Sequence, residues 1–395
     1  MKKILLLVIL VGVIISCNKL LPSAPADDEI LDGPVDGLTN EQRAIFLRGD
    51  VAFNDDIFTK ETGLGPLFVV NSCGGCHAGD GKGHPFTTLT RFGQSDTLGN
   101  LFLQAGGPQL QHRAIPGFMP EQIPAGATFS KFTPPANTGL GFLEAVPDAT
   151  IVGLSDPGDA NGDGISGRPN WIAIPAYCIV RPGTIERNGK YIGRFGKKAA
   201  VYDLLQQTVN AYNQDMGVNS TYEHYNTYNG LDVDPEITNG TALDVVFYLK
   251  TLKAPIQRNQ NDADVVAGKQ IFLSISCGKC HTPQLQTGPS SIDALSNKTF
   301  FPYSDLLLHD MGPGLNDGYT EGTALTAEWR TPPLWGLGLS KNSQGGQYFL
   351  LHDGRAGSIE QAILMHGGEA AQSKSSFEQL TSTDKSKLIK FLESL

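Results

Sequence analysis

Two short stretches, Cys73-Gly74-Gly75-Cys76-His77 and Cys277-Gly278-Lys279-Cys280-His281, share the spacing CxxCH and constrain this chain more than anything else in it. In an exported protein that spacing reads as a site of c-type haem attachment. Two thiols about one helical turn apart add to the two vinyl groups of a haem, and the adjacent histidine can then bind the iron from one face. A lone CxxC also serves zinc or redox chemistry. Zinc would need more Cys or His at ligand spacing, and the chain offers none beside either copy. The approaches to the two copies are alike as well. Phe68 and Phe272 each stand five residues before the first cysteine, with Gly65 and Gly268 upstream.

A length of 395 residues fits two domains better than one. The net charge of −10 makes nucleic acid an unsuitable partner. Of six cysteines, four belong to the motifs. Cys178 lies in an apolar run over 172–180 and reads as a buried, inert thiol. Cys17 ends a leader in which Lys2 and Lys3 precede the apolar run 4–15, too short to span a membrane. Ile14-Ile15-Ser16-Cys17 is similar to a bacterial lipobox. The expectation is a lipoprotein signal peptide over 1–17 with a lipid on Cys17, and a location on the periplasmic side or outer membrane of the cell envelope. Residues 18–38 read as a flexible tether.

Thr39 with Gln42 makes a capping box for a helix running to about Asn54. Residues from about 88 to 195 are rich in Gly and Pro turns and predict loops and short strands that cover the first haem. Within them Asp159, Asn161 and Asp163 match the first half of a calcium loop, but Asn170 stands where a bidentate Glu would, so both calcium and a metal-free turn stay open. The spacing predicts a helix over 197–216 and another capped by Thr241 and ended before Pro255. The second unit closes on Phe391-Leu392-Glu393-Ser394-Leu395, which repeats the pattern of Tyr248-Leu249-Lys250-Thr251-Leu252. The fold expected is mainly α, with two cytochrome c-like haem domains in tandem over 39–255 and 256–395.

Several runs then carry a family likeness: FVVNSCGGCH at 68–77, GLGFLEAVPD at 139–148, DGISGRPN at 163–170, GRFG at 193–196, LLLHDMG at 306–312, WRTPPLWG at 329–336 and HDGR at 352–355. The chain resembles the di-haem oxidoreductase family, relatives of bacterial di-haem cytochrome c peroxidases. That resemblance implies two covalently attached haems, one reactive and one for electron transfer. His77 and His281 are the proximal iron ligands from spacing alone. Related peroxidases have a methionine ligand some way after a motif like His352-Asp353-Gly354. In the comparable region here His366 is the expected sixth ligand of the second iron, with Met365 the alternative. For the first iron His84, His112, Met119, Met216 and His309 are all candidates beside an open position. The resemblance further implies Glu144 and Gln104 as groups that move a proton during peroxide cleavage. Arg194 and Arg330 are candidates to pair with haem propionates, and Trp329, Trp335 and Trp171 to lie between the haems. The leading expectation is a peroxidase-like enzyme taking electrons from a donor protein. The alternatives are a membrane-tethered di-haem electron carrier and an enzyme that oxidises side chains of a partner protein.

Overall fold

In the computed structural model the described residues are 26–225, 227, 229–231 and 234–395. The leader and Cys17 lie outside them, as does the first part of the tether. Four helices set the frame. Helix α1 (Asn40–Asn54) starts at the expected capping box, with Thr39 Oγ1 accepting from Gln42 N at 3.2 Å and Gln42 Oε1 accepting from Thr39 N at 3.0 Å. Helix α2 (Asn239–Thr251) begins earlier than Thr241. Its cap is Thr238, whose Oγ1 accepts from Thr241 N at 3.0 Å. Helix α3 (Ala263–Ser274) is capped by Asp262, and α4 (Ser382–Ser394) by Thr381.

These helices pack as two pairs built the same way. Gly49 of α1 crosses α2 where a Cβ would run into the carbonyl of Asp244. Gly268 of α3 crosses α4 where a Cβ would run into the carbonyl of Lys387. One turn further on, Phe53 packs on Tyr248 at 5.5 Å between ring centroids, and Phe272 packs on Phe391 at 5.5 Å. The counterpart of Gly268 and Phe272 is therefore Gly49 and Phe53, not Gly65 and Phe68. Counting back from each motif pairs Phe68 with Phe272, but residues 55–72 intervene only in the first half and place Phe53 at the equivalent position.

The expected helix over 197–216 forms only from Leu204. Asp203 caps the segment Leu204–Asn210, and a π-helical turn over Ala211–Asp215 follows. Residues before it are drawn into a loop where Phe195 pairs with Val201. The segment from 88 to 195 holds strands of two to four residues, such as Leu89–Phe92 paired antiparallel with Phe129–Phe132. The structure is mainly α.

Apolar burial does not follow the two halves cleanly. One cluster joins Phe46, Phe53 and Tyr248 to Leu295, Phe300, Leu306 and Trp335. A second, around Phe272, Tyr303, Phe377 and Phe391, belongs to the C-terminal half. A third packs Phe58, Val70, Tyr212 and Met216 around Cys76.

Candidate haem sites

At the first motif Ser72 caps the short helix Cys73–Cys76 by accepting from Gly75 N at 3.2 Å. His77 N donates to Cys73 O at 3.0 Å, so the histidine follows the cysteines by one turn. Phe53 lies beside its ring, 6.0 Å between centroids. Burial pulls the His77 imidazole down to about 4 and keeps it neutral, the form that binds metal. Its Nδ1 is buried without a hydrogen bond of acceptable geometry, although the carbonyls of Pro135 and Gly81 lie close enough to favour the protonated ring.

At the second motif the histidine has a hydrogen-bond partner that the first lacks. His281 N donates to Cys277 O at 3.0 Å, and Phe272 lies 6.4 Å from the ring. His281 Nδ1 is 3.0 Å from the carbonyl of Tyr303. A carbonyl only accepts, so Nδ1 carries the proton and Nε2 keeps its lone pair. His366 repeats the arrangement, with Nδ1 2.7 Å from the carbonyl of Ala362. Burial first, and then the neighbouring His366, hold His281 down at about 4. Burial likewise lowers His366. Each imidazole thus keeps its Nε2 lone pair for a metal, and charge on His366 is felt at His281.

Three of the motif thiols are held as neutral thiols, not thiolates. Burial pushes Cys73, Cys76 and Cys277 each up to about 12, and all of these cysteines are free. Cys280, Asp305 and His309 cluster closely enough to hold an ion, but a thioether at Cys280 would remove that sulfur from the set.

His309 was a candidate for the first iron. It lies instead at the second motif, with Nδ1 3.6 Å from Cys280 Sγ and 2.7 Å from Glu369 Oε2, and Nε2 2.8 Å from Asp305 Oδ2. Burial works against charge there, but hydrogen bonds to Asp305, Cys280 and Glu369 outweigh it and raise the imidazole. His84 Nδ1 accepts from Phe86 N at 3.2 Å, so in the neutral ring Nε2 bears the proton and offers no lone pair. His112 and Met119 are exposed. Met216 is buried in the apolar cluster that holds Cys76. Met365 packs with the C-terminal apolar cluster.

Arg194 is taken up by protein partners. It is 1% exposed, ion-paired with Asp148, and donates to the carbonyls of Leu143 and Glu144 at 3.2 and 3.0 Å. The Glu144 carboxylate accepts from Lys250 Nζ and Leu204 N, both at 2.7 Å. Burial pushes its carboxyl up, but the Lys250 ammonium and the Arg181 guanidinium outweigh burial and hold it below its ordinary value. Gln104 is exposed. Two buried amides of the same segment, Gln109 and Gln111, donate to the carbonyl of Gln214 at 3.1 and 3.0 Å beside Asp215. Burial raises Asp215 to about 6, and its charge acts on Cys73 and Cys76. Sequence reading missed these groups because no motif marks a lone glutamine.

Arg330 Nε donates to the carbonyl of Gly196 at 2.9 Å. Burial lowers Arg330 to about 10 and Lys82 to about 8 and holds Lys197 well below its ordinary value, and Lys82 and Arg330 both act on Lys197. Among the described residues neither lysine has an ion-pair partner, and Lys197 also acts on His77. Such a group of cations suits carboxylates, and the haem propionates are carboxylates. Trp335 packs in the shared core against Phe300, and Arg187 covers Trp171. Trp329 lies between the His352 ring at 3.7 Å and the Lys198 ammonium at 3.6 Å. In the acidic loop, Asp159 and Asn161 oxygens accept from the backbone N–H of Asp163 at 2.9 Å, and Asp163 pairs with Lys279 of the second motif at 2.9 Å.

A family model described as "Di-haem oxidoreductase, putative peroxidase" matches residues 131–395. The chain belongs to the di-haem oxidoreductase family. The match covers more than half of the chain and takes in the second CxxCH, while the first lies before it. No curated protein matches the sequence significantly. Among solved structures, hydrazine synthase of Kuenenia stuttgartiensis, pressurised with 20 bar xenon, is similar over 95% of this chain and 98% of its own, at 13% identity and a TM-score of 0.38. Nothing about this chain's fold or chemistry follows from a likeness at that level.

Proposed function

We propose that the chain is an exported c-type di-haem oxidoreductase with two unequal haems in tandem cytochrome c-like domains. Cys73 and Cys76 hold one haem and Cys277 and Cys280 the other. His77 and His281 bind the irons, and His366 is the sixth ligand of the second. The observation that carries this reading is the pair His281 and His366, each with Nδ1 committed to a backbone carbonyl. The repeated crossing of α1 with α2 and of α3 with α4, each bringing a phenylalanine to the motif histidine, supports the tandem arrangement.

Bound haem supplies one-electron transfer and, where a coordination position is open, reduction of peroxide. The residues of the chain divide that work. At the second site His281 and His366 would both hold the iron, which would favour electron transfer. At the first site Lys82, Lys197 and Arg330 would neutralise carboxylates, and Gln109, its amide bonded to the Gln214 carbonyl and to Asp215, holds the buried carboxylate whose charge acts on Cys73 and Cys76. In a peroxidase reaction hydrogen peroxide takes two electrons and two protons to give two water molecules, the electrons coming from a donor protein. Lipidation of Cys17 would hold the enzyme at the cell envelope.

The test is an EPR and optical spectrum of the ferric protein beside His366→Ala, with and without peroxide. The wild type is expected to show one low-spin haem and one that responds to peroxide. In His366→Ala the low-spin signal of the second haem is lost and a high-spin one replaces it. An unchanged spectrum in the variant overturns the ligand assignment. Two low-spin signals indifferent to peroxide would leave a membrane-tethered electron carrier.

A further inference from the structure

The loop that follows His366 is fastened to the second motif by buried polar groups that iron ligation does not use. Glu369 stands three residues after His366. Its Oε2 lies 2.7 Å from His309 Nδ1 and accepts from Ser166 N at 3.0 Å. Its Oε1 accepts from Ser166 Oγ at 2.8 Å and from Asp310 N at 3.2 Å. On its far side His309 Nε2 meets Asp305 Oδ2 at 2.8 Å. Carboxylates accept, so both ring nitrogens of His309 donate, and the ring bridges Asp305 to Glu369 as a cation.

The backbone is shaped to the same contact. Gly368 has φ +52°, and a Cβ on it would run into the carbonyl of Asp310. A Cβ on Gly367 would come within 2.9 Å of Met311 O. On Gly167, next to Ser166, one would meet His309 Cε1 at 2.6 Å. His366 itself stands beyond the end of the short helix Ile359–Leu364 and is followed by two glycines. Glycines allow this close approach but hold no position by themselves. The polar contacts of Glu369 supply the hold.

We propose that Glu369, gripped by His309, Ser166 and the Asp310 N–H, is a positioning residue that keeps His366 opposite His281. The proposal rests on the reading of His366 as the sixth ligand. It also ties the acidic loop to this site, since Ser166 fastens that loop to Glu369 and Asp163 fastens it, through Lys279, to the second motif.

The experiment compares ferric EPR and near-infrared spectra of the full-length holoprotein, Glu369→Ala, Glu369→Gln and His366→Ala, with covalent haem checked on denaturing gels. Glu369→Ala is expected to lose part of the low-spin signal of the second haem to high-spin. Glu369→Gln, which can still accept from Ser166 and Asp310, is expected to lose less. Added imidazole should restore the low-spin signal in Glu369→Ala. Should that variant not accumulate with both haems, Glu369→Gln and Ser166→Ala carry the same test. Wild-type low-spin signals in all the Glu369 and Ser166 variants, with the signal lost in His366→Ala, would overturn the positioning role alone. An unchanged spectrum in His366→Ala would overturn the ligand assignment and this inference with it.

Discussion

At the scale of single residues, chemistry and position separate. Glu144 sits in a run shared with the family, yet its carboxylate is occupied by Lys250 and the Leu204 N–H. Its folded pKa is lowered below the ordinary 4.5. A depressed folded pKa contributes stability that is present above the unfolded value and lost as pH falls through the folded one. Glu144→Gln should therefore melt below the wild type at pH 7, by about 1–3 kcal/mol for a buried hydrogen-bonded charge. The gap should close as pH drops below 4.5. Melting curves of both proteins across that range check it. Unchanged melting with a fall in peroxide turnover would instead put Glu144 in proton transfer. The motif cysteines and histidines were legible because their chemistry is local: the spacing itself sets one turn of helix. Arg194 and the Glu369 side of His309 were not, because Asp148 and Glu369 are brought to them by where distant segments cross, while Asp305 is only four residues from His309.

At the scale of elements, a helix glycine is judged by what it touches. Gly268 lets α3 lie on the Lys387 carbonyl of α4, and its neighbour Phe272 then reaches His281. Ala exceeds Gly in helix propensity by about 1 kcal/mol. Here the added methyl meets backbone that cannot move without parting the helices, so Gly268→Ala should lower the melting temperature and broaden the spectrum of the second haem. Gly153, in the helix Asp148–Leu154, has nothing within 4 Å of a Cβ. Gly153→Ala should raise the melting temperature slightly. Thermal scans of the two variants decide the matter, and a stabilised Gly268→Ala would refute the close crossing. The first helix could be read from its cap Thr39, since a cap acts within one turn, and the second only approximately, its cap being Thr238 rather than Thr241. The pairing of Gly49 with Gly268 could not, because the intervening chain differs in length between the halves.

For the whole molecule, the two halves share apolar surface as well as sequence pattern. Leu295, Phe300, Leu306 and Trp335 from the C-terminal half pack in one cluster with Phe46, Phe53 and Tyr248 from the N-terminal half. Charged pairs cross in the same way: Arg91 with Glu321 at 2.8 Å and Arg168 with Glu328 at 2.5 Å. Both link the segment from 88 to 195 to the C-terminal half. Separate domains melt separately only where few contacts join them. A boundary near 255–256 divides the motifs, but it would strand Phe300 and Trp335 away from their core. Calorimetry of the holoprotein should therefore give one cooperative transition. The fragment 256–395 made alone should expose that apolar surface and bind a hydrophobic dye. Two resolved transitions, or a fragment that folds with its haem and stays dye-free, would show that each half carries its own stability. The shared core would then be an interface between two independent haem units.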